Sequence, residues 1–276
     1  MSRFMLAYVE RPSPLHALTG AAKLGVFILW SVLVMAGYDA RVMGAMAILG
    51  ILLFIISRVR FREVSFIFKM IFFFLFLNLL AIYLFAPEQG TAIYGTRHVL
   101  LEGKGRYSLT AEQLFYEFNV LLKYLSIIPA AVLLIVTTHP SEFAASLNRI
   151  GLPYTAAYAV SLALRYIPDI QRDYENISQA QQARGLELSR KASPLKRLKG
   201  AARILLPLIF SSLDRIDTIS RAMELRGFGK HKKRTWYSGR PFRALDRAAL
   251  IIAFLLFILG LWVSFRDGSR FYNPWK

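Results

Sequence analysis

The residues best placed to do chemistry are two arginines, Arg184 and Arg226, each followed directly by a glycine. A guanidinium is planar, permanently charged and carries five N–H donors, so an exposed one makes multidentate hydrogen bonds to carboxylates or to helix-end carbonyls. The stretches that carry them, residues 177–186 and 219–228, share Ile, Ser, Ala, Arg and Gly at matching places, with the arginines 226 − 184 = 42 positions apart. Each reads as the last turns of an amphipathic helix. Ile170, Tyr174, Ile177 and Arg184 recur at helical spacing in one, and Leu213, Ile216, Ile219 and Met223 in the other. Gly185 and Gly227 then stand where a helix stops, because glycine takes the left-handed conformation that other residues resist. An arginine in a last turn is also an ordinary way to end a helix, complementing the dipole for ~0.3–1 kcal/mol. Repetition within an otherwise non-repetitive chain points instead to one device used twice. The candidate contact residues are Ala183, Arg184 and Gly185 in the first copy and Leu225, Arg226 and Gly227 in the second.

Other chemistries lack their residues. His16, His98, His139 and His231 are too scattered for the helical spacing of a metal site, and the chain has no cysteine. Gly103-Lys104-Gly105 lacks the spacing of a phosphate loop, no Gly-x-Ser-x-Gly elbow occurs, and no carboxylate cluster falls in an apolar run. The expectation is therefore no catalytic residue, no metal and no cofactor, hence no enzyme.

The elements that must position the arginines sit in a membrane protein. A chain of 276 residues with a mean hydropathy of +0.42 and 55 % hydrophobic residues is too apolar for a soluble domain. Apolar runs over 21–36 (except Lys23), 42–56, 66–85 (with Lys69 and Asn78) and 248–265, and a long helix over 112–137 with an apolar core over 127–136 and Lys123 outside that core, predict about five transmembrane helices. The formal net charge of +18 is placed by the positive-inside rule rather than by nucleic acid, for which no motif is present. Arg58, Arg60 and Arg62 follow the second run and put that end, and the N-terminus, in the cytoplasm; no cleavable signal is expected. Residues 86–111, rich in glycine and balanced charge, read as an external loop. Lys123 with Glu117 upstream is either an intramembrane ion pair or, better, a lysine that snorkels outward.

Between His139 and Arg243, short apolar segments alternate with basic ones. Pro140 begins a helix that Gly151-Leu152-Pro153 ends, Arg165 and Pro168 interrupt the run over 154–167, and Pro207 lies in the short run 204–210. The expected organisation is an all-α polytopic membrane protein. Residues 1–137 form an N-terminal membrane domain with four transmembrane helices. Residues 138–245 form a cytoplasmic coupling domain with two long amphipathic coupling helices, and 246–276 a C-terminal transmembrane helix and tail. A large cytoplasmic insert with two matched helix ends suits a contact with an external motor, and two copies suit a partner with two similar grooves.

At these residues the chain resembles the transmembrane coupling subunit, or T component, of energy-coupling factor (ECF) ABC transporters, the EcfT and CbiQ-like family. The likeness extends through Thr137-Thr138-His139-Pro140, Gly151-Leu152-Pro153, Leu164-Arg165-Tyr166-Ile167-Pro168 and Gln179 to Gly185. It is looser in the N-terminal half, where Lys23-Leu24 alone remains of an Asp-Pro-Arg-Thr-Lys-Leu pattern, and Leu225 replaces an alanine of the second motif. The resemblance implies two cytoplasmic ABC ATPase subunits held through Arg184 and Arg226, and a membrane substrate-binding S component held by the membrane domain. It implies uptake of a vitamin, a vitamin precursor or a metal ion across a bacterial or archaeal cell membrane. The alternatives are a self-sufficient secondary transporter, or a polytopic scaffold whose basic cytoplasmic domain lies on anionic lipid.

Overall fold

The computed structural model describes residues 11–103, 107–186, 194–231, 234–237, 239–266, 268–269 and 271–275, with 194–197 given by backbone alone. In chain order the elements are α1 (Pro14–Ala17), α2 (Gly20–Ala36), α3 (Ala40–Ile56), α4 (Phe61–Phe85), α5 (Gln89–Tyr94), β1 (Val99–Leu101), β2 (Leu109–Thr110), α6 (Ala111–Thr137), α7 (Pro140–Arg149), α8 (Tyr154–Ala183), α9 (Pro194–Leu225) and α10 (Ala244–Phe265). This is the expected all-α membrane architecture. Helices α4, α6 and α10 are long and apolar enough to cross a bilayer, with mean hydropathies of 2.3, 2.2 and 2.7. The apolar helices α2 and α3 have 17 residues each, at the short limit of roughly 17–25 for a span.

The chain forms two compact units, one running to Glu142 and resuming at Arg240, the other spanning Phe143–Gly239. In the first, α2 packs on α10 and α6, and α3 lies along α6. Trp30, Leu33, Val34, Met43 and Met46 form its core. The indole N–H of Trp30 donates to the Ser126 carbonyl at 3.0 Å, so the one polar atom of that ring is satisfied inside the bundle. Gly260 lets α10 close on α2, since a Cβ there would lie 2.7 Å from a Leu33 methyl. The helix starts are knotted by carboxylates. Asp246 accepts from the Arg243 N–H at the start of α10 at 2.8 Å and from the Thr19 N–H at 2.7 Å, while Glu142 accepts from the Gly20 N–H at 2.9 Å.

At the opposite end of this unit, residues 86–111 prove to be more than a loop. Helix α5 and the antiparallel hairpin β1–β2 are anchored on α6, and the physical cause is a buried carboxylate. Glu112 is fully buried and accepts from the Thr96 hydroxyl at 2.9 Å and the His98 backbone N–H at 3.0 Å. Asn119 donates to the Tyr94 hydroxyl at 3.1 Å, and burial pushes that phenol up to about 12. The C-terminal tail joins the same cluster: Asn273 donates to the Tyr94 carbonyl, and Trp275 packs on Tyr94 and Phe115. The tail therefore packs beside α5. Lys123 donates to the Met35 carbonyl at 3.4 Å and stands over the Tyr38 ring, whereas Glu117 accepts from Gln113.

In the second unit α8 and α9 pack together. The Asp173–Arg215 ion pair, at 2.6 Å, and the contact of Tyr154 with Phe228 set them antiparallel. The interruption expected at Pro168 is absent, and Pro207 causes none either. Helix α8 runs unbroken through Pro168, and α9 through Pro207. A proline removes one rung of the helical ladder and presets a helical φ, so a long helix packed on a neighbour survives it. Gly151, with φ +117, ends the short helix after Pro140 as expected.

Candidate functional site: two arginine-bearing helix ends

Each candidate motif closes one helix of the antiparallel pair, and the two closures share one hydrogen-bond pattern. At the end of α8, Gly185 N–H donates to the Gln182 carbonyl at 2.9 Å and Leu186 N–H to the Gln181 carbonyl at 3.0 Å. At the end of α9, Gly227 N–H donates to the Glu224 carbonyl at 2.8 Å and Phe228 N–H to the Met223 carbonyl at 2.9 Å. Both are Schellman closures, in which the residue after the glycine reaches back five positions. Such a closure needs a left-handed residue, and φ is +85 at Gly185 and +64 at Gly227. The sequence repeat is thus a repeat of backbone geometry.

The closures present their arginines outward. Ala183, Arg184, Gly185, Leu225 and Arg226 are exposed, Gly227 is half-buried, and Leu225 is 90 % exposed. Among the described residues neither guanidinium has a hydrogen-bond or ion-pair partner. Asp173 and Arg215 fix the register at which the antiparallel helices meet, each lying 11 residues before its motif arginine (184 − 173 and 226 − 215). At ~1.5 Å per residue in opposite directions, the arginines stand up to about 33 Å apart. One helix pair therefore does not bring the two motifs together; it holds them at opposite ends.

A second surface accompanies them. Leu206, Ile209, Phe210, Leu213 and Ile216 recur along one face of α9 and are 51–63 % exposed, so the amphipathic helix keeps an uncovered apolar stripe. Of these, Leu213 and Ile216 are already visible in the helical spacing of the sequence.

The surroundings of the second motif contain residues that spacing alone does not reveal. Arg234 donates to the carbonyls of Arg226 at 3.0 Å and Gly227 at 3.2 Å, satisfying helix-end acceptors that would otherwise need water. Phe228 packs on Tyr154 and Tyr158, and the Tyr154 hydroxyl accepts from the Gly229 N–H at 2.7 Å. Trp236 packs on Tyr158 and donates to Asn148. Only the large apolar residue after each glycine hinted at this, because tyrosines some 70 positions earlier carry no local signal.

Comparison with known proteins bears on what these ends serve. Residues 11–237 match the family described as CbiQ, cobalt transport protein. The chain is also similar to proteins named energy-coupling factor transporter transmembrane protein EcfT. One, from Leuconostoc gelidum subsp. gasicomitatum, is 28 % identical over 59 % of this chain and 65 % of its own length. Another, from Staphylococcus aureus, is 27 % identical over 68 % of this chain and 71 % of its own. A third, from Bacillus selenitireducens, is 34 % identical over 51 % of this chain and 54 % of its own. The chain thus spans less than two thirds of the length of several of these relatives.

Proposed function

The chain belongs to the CbiQ family of cobalt transport proteins, and on that premise we propose that it is the membrane T component of an ECF-type ABC importer. It grips two cytoplasmic ATPase subunits through Arg184 and Arg226 and passes their closure to a membrane-embedded S component. The observation that carries this reading is the pair of like helix closures at opposite ends of one antiparallel helix pair, each with an exposed arginine that has no partner among the described residues. A dimeric motor offers two equivalent grooves separated by tens of ångströms, and a rigid two-ended bar is a shape that follows both at once. In each groove the guanidinium makes charge-assisted hydrogen bonds to carboxylates or helix-end carbonyls.

In this reading residues 1–137 and 246–276 are the membrane domain, and 138–245 the cytoplasmic coupling domain. The apolar stripe of α9 supports a membrane partner, since a cytoplasmic helix with that much exposed apolar surface needs a cover. The S component defines the cargo, a vitamin, a vitamin precursor or a metal ion, and the protein sits in the cell membrane of a bacterium or archaeon. ATP is hydrolysed by the partners alone.

Reconstitution tests this directly. The chain, its ATPases and an S component in proteoliposomes are expected to import substrate with ATP, and the chain without ATPases to import none. Transport by the lone chain along an ion gradient would establish the secondary-transporter alternative instead.

A further inference from the structure

The first unit holds a groove of about 310 Å³ that the coupling function leaves unused. It lies within the range of ~300–1,000 Å³ usual for ligand clefts. Its walls come from α2, α3, α6 and α10, and apart from Lys23 and Thr137 its lining is apolar, with Phe27, Trp30, Leu134 and Ala253 among it. Lys23 and Thr137 mark one end, because one stands in the first turn of α2 and the other closes α6. From there the lining follows α2 to Leu33, about 15 Å at ~1.5 Å per residue, so the groove is long and narrow.

The polar end is incompletely satisfied. Lys23 is 9 % exposed, and its ammonium donates to the Thr137 carbonyl at 2.6 Å. Of its three N–H donors this is the one with a partner among the described residues. Among the described residues no carboxylate lies within the 4.0 Å of an ion pair. Glu142 is engaged by the Gly20 N–H and Arg240, and Asp246 by the N–H groups of Thr19 and Arg243. Behind Thr137, outside the lining itself, the buried hydroxyl of Thr138 has no partner among the described residues. A buried ammonium with spare donors at one end of an apolar groove is complementary to an anionic headgroup whose acyl chain lies along the groove.

We infer that this groove is a binding site for one anionic phospholipid, with an acyl chain along α2 and the phosphate on Lys23. The site lies wholly in the membrane unit and stands whether or not the chain couples to ATPases. Full-length protein in mild detergent is equilibrated with phosphatidylglycerol and phosphatidylcholine of equal chain length, and retained lipid is counted by native mass spectrometry. The expected result is one retained phosphatidylglycerol, preferred about tenfold, the worth of a charge-assisted hydrogen bond. Ala253→Phe, which fills the channel, abolishes retention. Lys23→Gln brings the preference to about one, Lys23→Arg keeps it, and Lys69→Gln on exposed α4 changes nothing. Equal retention of the two lipids by the wild type overturns the inference, as does undiminished retention by Ala253→Phe. Should Lys23→Gln fail to fold, the wild-type preference and Ala253→Phe decide alone.

Discussion

The two helix ends of the second unit are alike in backbone and, among the described residues, unlike in support. Both close with the same pair of back-reaching hydrogen bonds around a left-handed glycine, and both expose an arginine. The end at Arg226 is braced by Arg234 on its carbonyls, by Phe228 against Tyr154 and Tyr158, and by the Tyr154 hydroxyl on Gly229. At the end at Arg184, no such brace is found among the described residues, and the backbone closure carries the geometry. On the proposed reading, a partner contact would need only an arginine on a Schellman turn, and the bracing would set how rigidly that arginine is presented.

The largest effect expected on this comparison comes from the arginines. Arg184→Ala and Arg226→Ala are each predicted to cost about 2–5 kcal/mol at one ATPase contact if the guanidinium is buried there. Native mass spectrometry of the purified complex then shows mainly particles with one ATPase for either variant. Loss of both ATPases from one variant and neither from the other would break the equivalence of the ends.

Next come the glycines. Gly185→Ala and Gly227→Ala force a side chain into the left-handed region, at ~1–2 kcal/mol each. Both weaken ATPase binding. Gly227→Ala also lowers the thermal midpoint of the isolated chain more, because the brace stops its helix end from relaxing; equal midpoints contradict the assigned bracing.

Smaller still is Arg234→Ala, which removes two exposed bonds to helix-end carbonyls and is predicted to cost about 1 kcal/mol. It weakens the Arg226 contact and leaves the Arg184 contact intact, a difference resolved by combining it with each arginine variant. Tyr154→Phe deletes the single bond to Gly229, for about 0.5–1.5 kcal/mol, and is read by hydrogen exchange at Gly229. Unchanged exchange there removes Tyr154 from the brace.

How much of this was legible in the sequence follows from the range of the forces involved. The spans are long apolar runs, and the motifs repeat at fixed spacing with glycines that only one backbone conformation explains, so both read directly. The continuous helices through Pro168 and Pro207 did not, because local propensity counts the lost hydrogen bond and not the neighbouring helix that holds the rest of the ladder. The cluster over 86–103 and 107–111 was hidden for a similar reason: Glu112 organises Thr96 and His98 from the far side of a hairpin. The repeat also concealed a geometric fact in plain view. Asp173 and Arg215 are separated by 42 positions, the offset of the motifs themselves, so the pair that sets the register centres the two arginines about it.

The central claim is that Arg184 and Arg226 are the two grips of one coupling bar. It is tested most directly by counting ATPase subunits bound to the chain when both arginines are replaced by alanine, in protein shown to be membrane-inserted and folded. Two ATPases on the wild type and none on the double variant is the predicted result. A double variant that retains both ATPases and full ATP-driven uptake would contradict it.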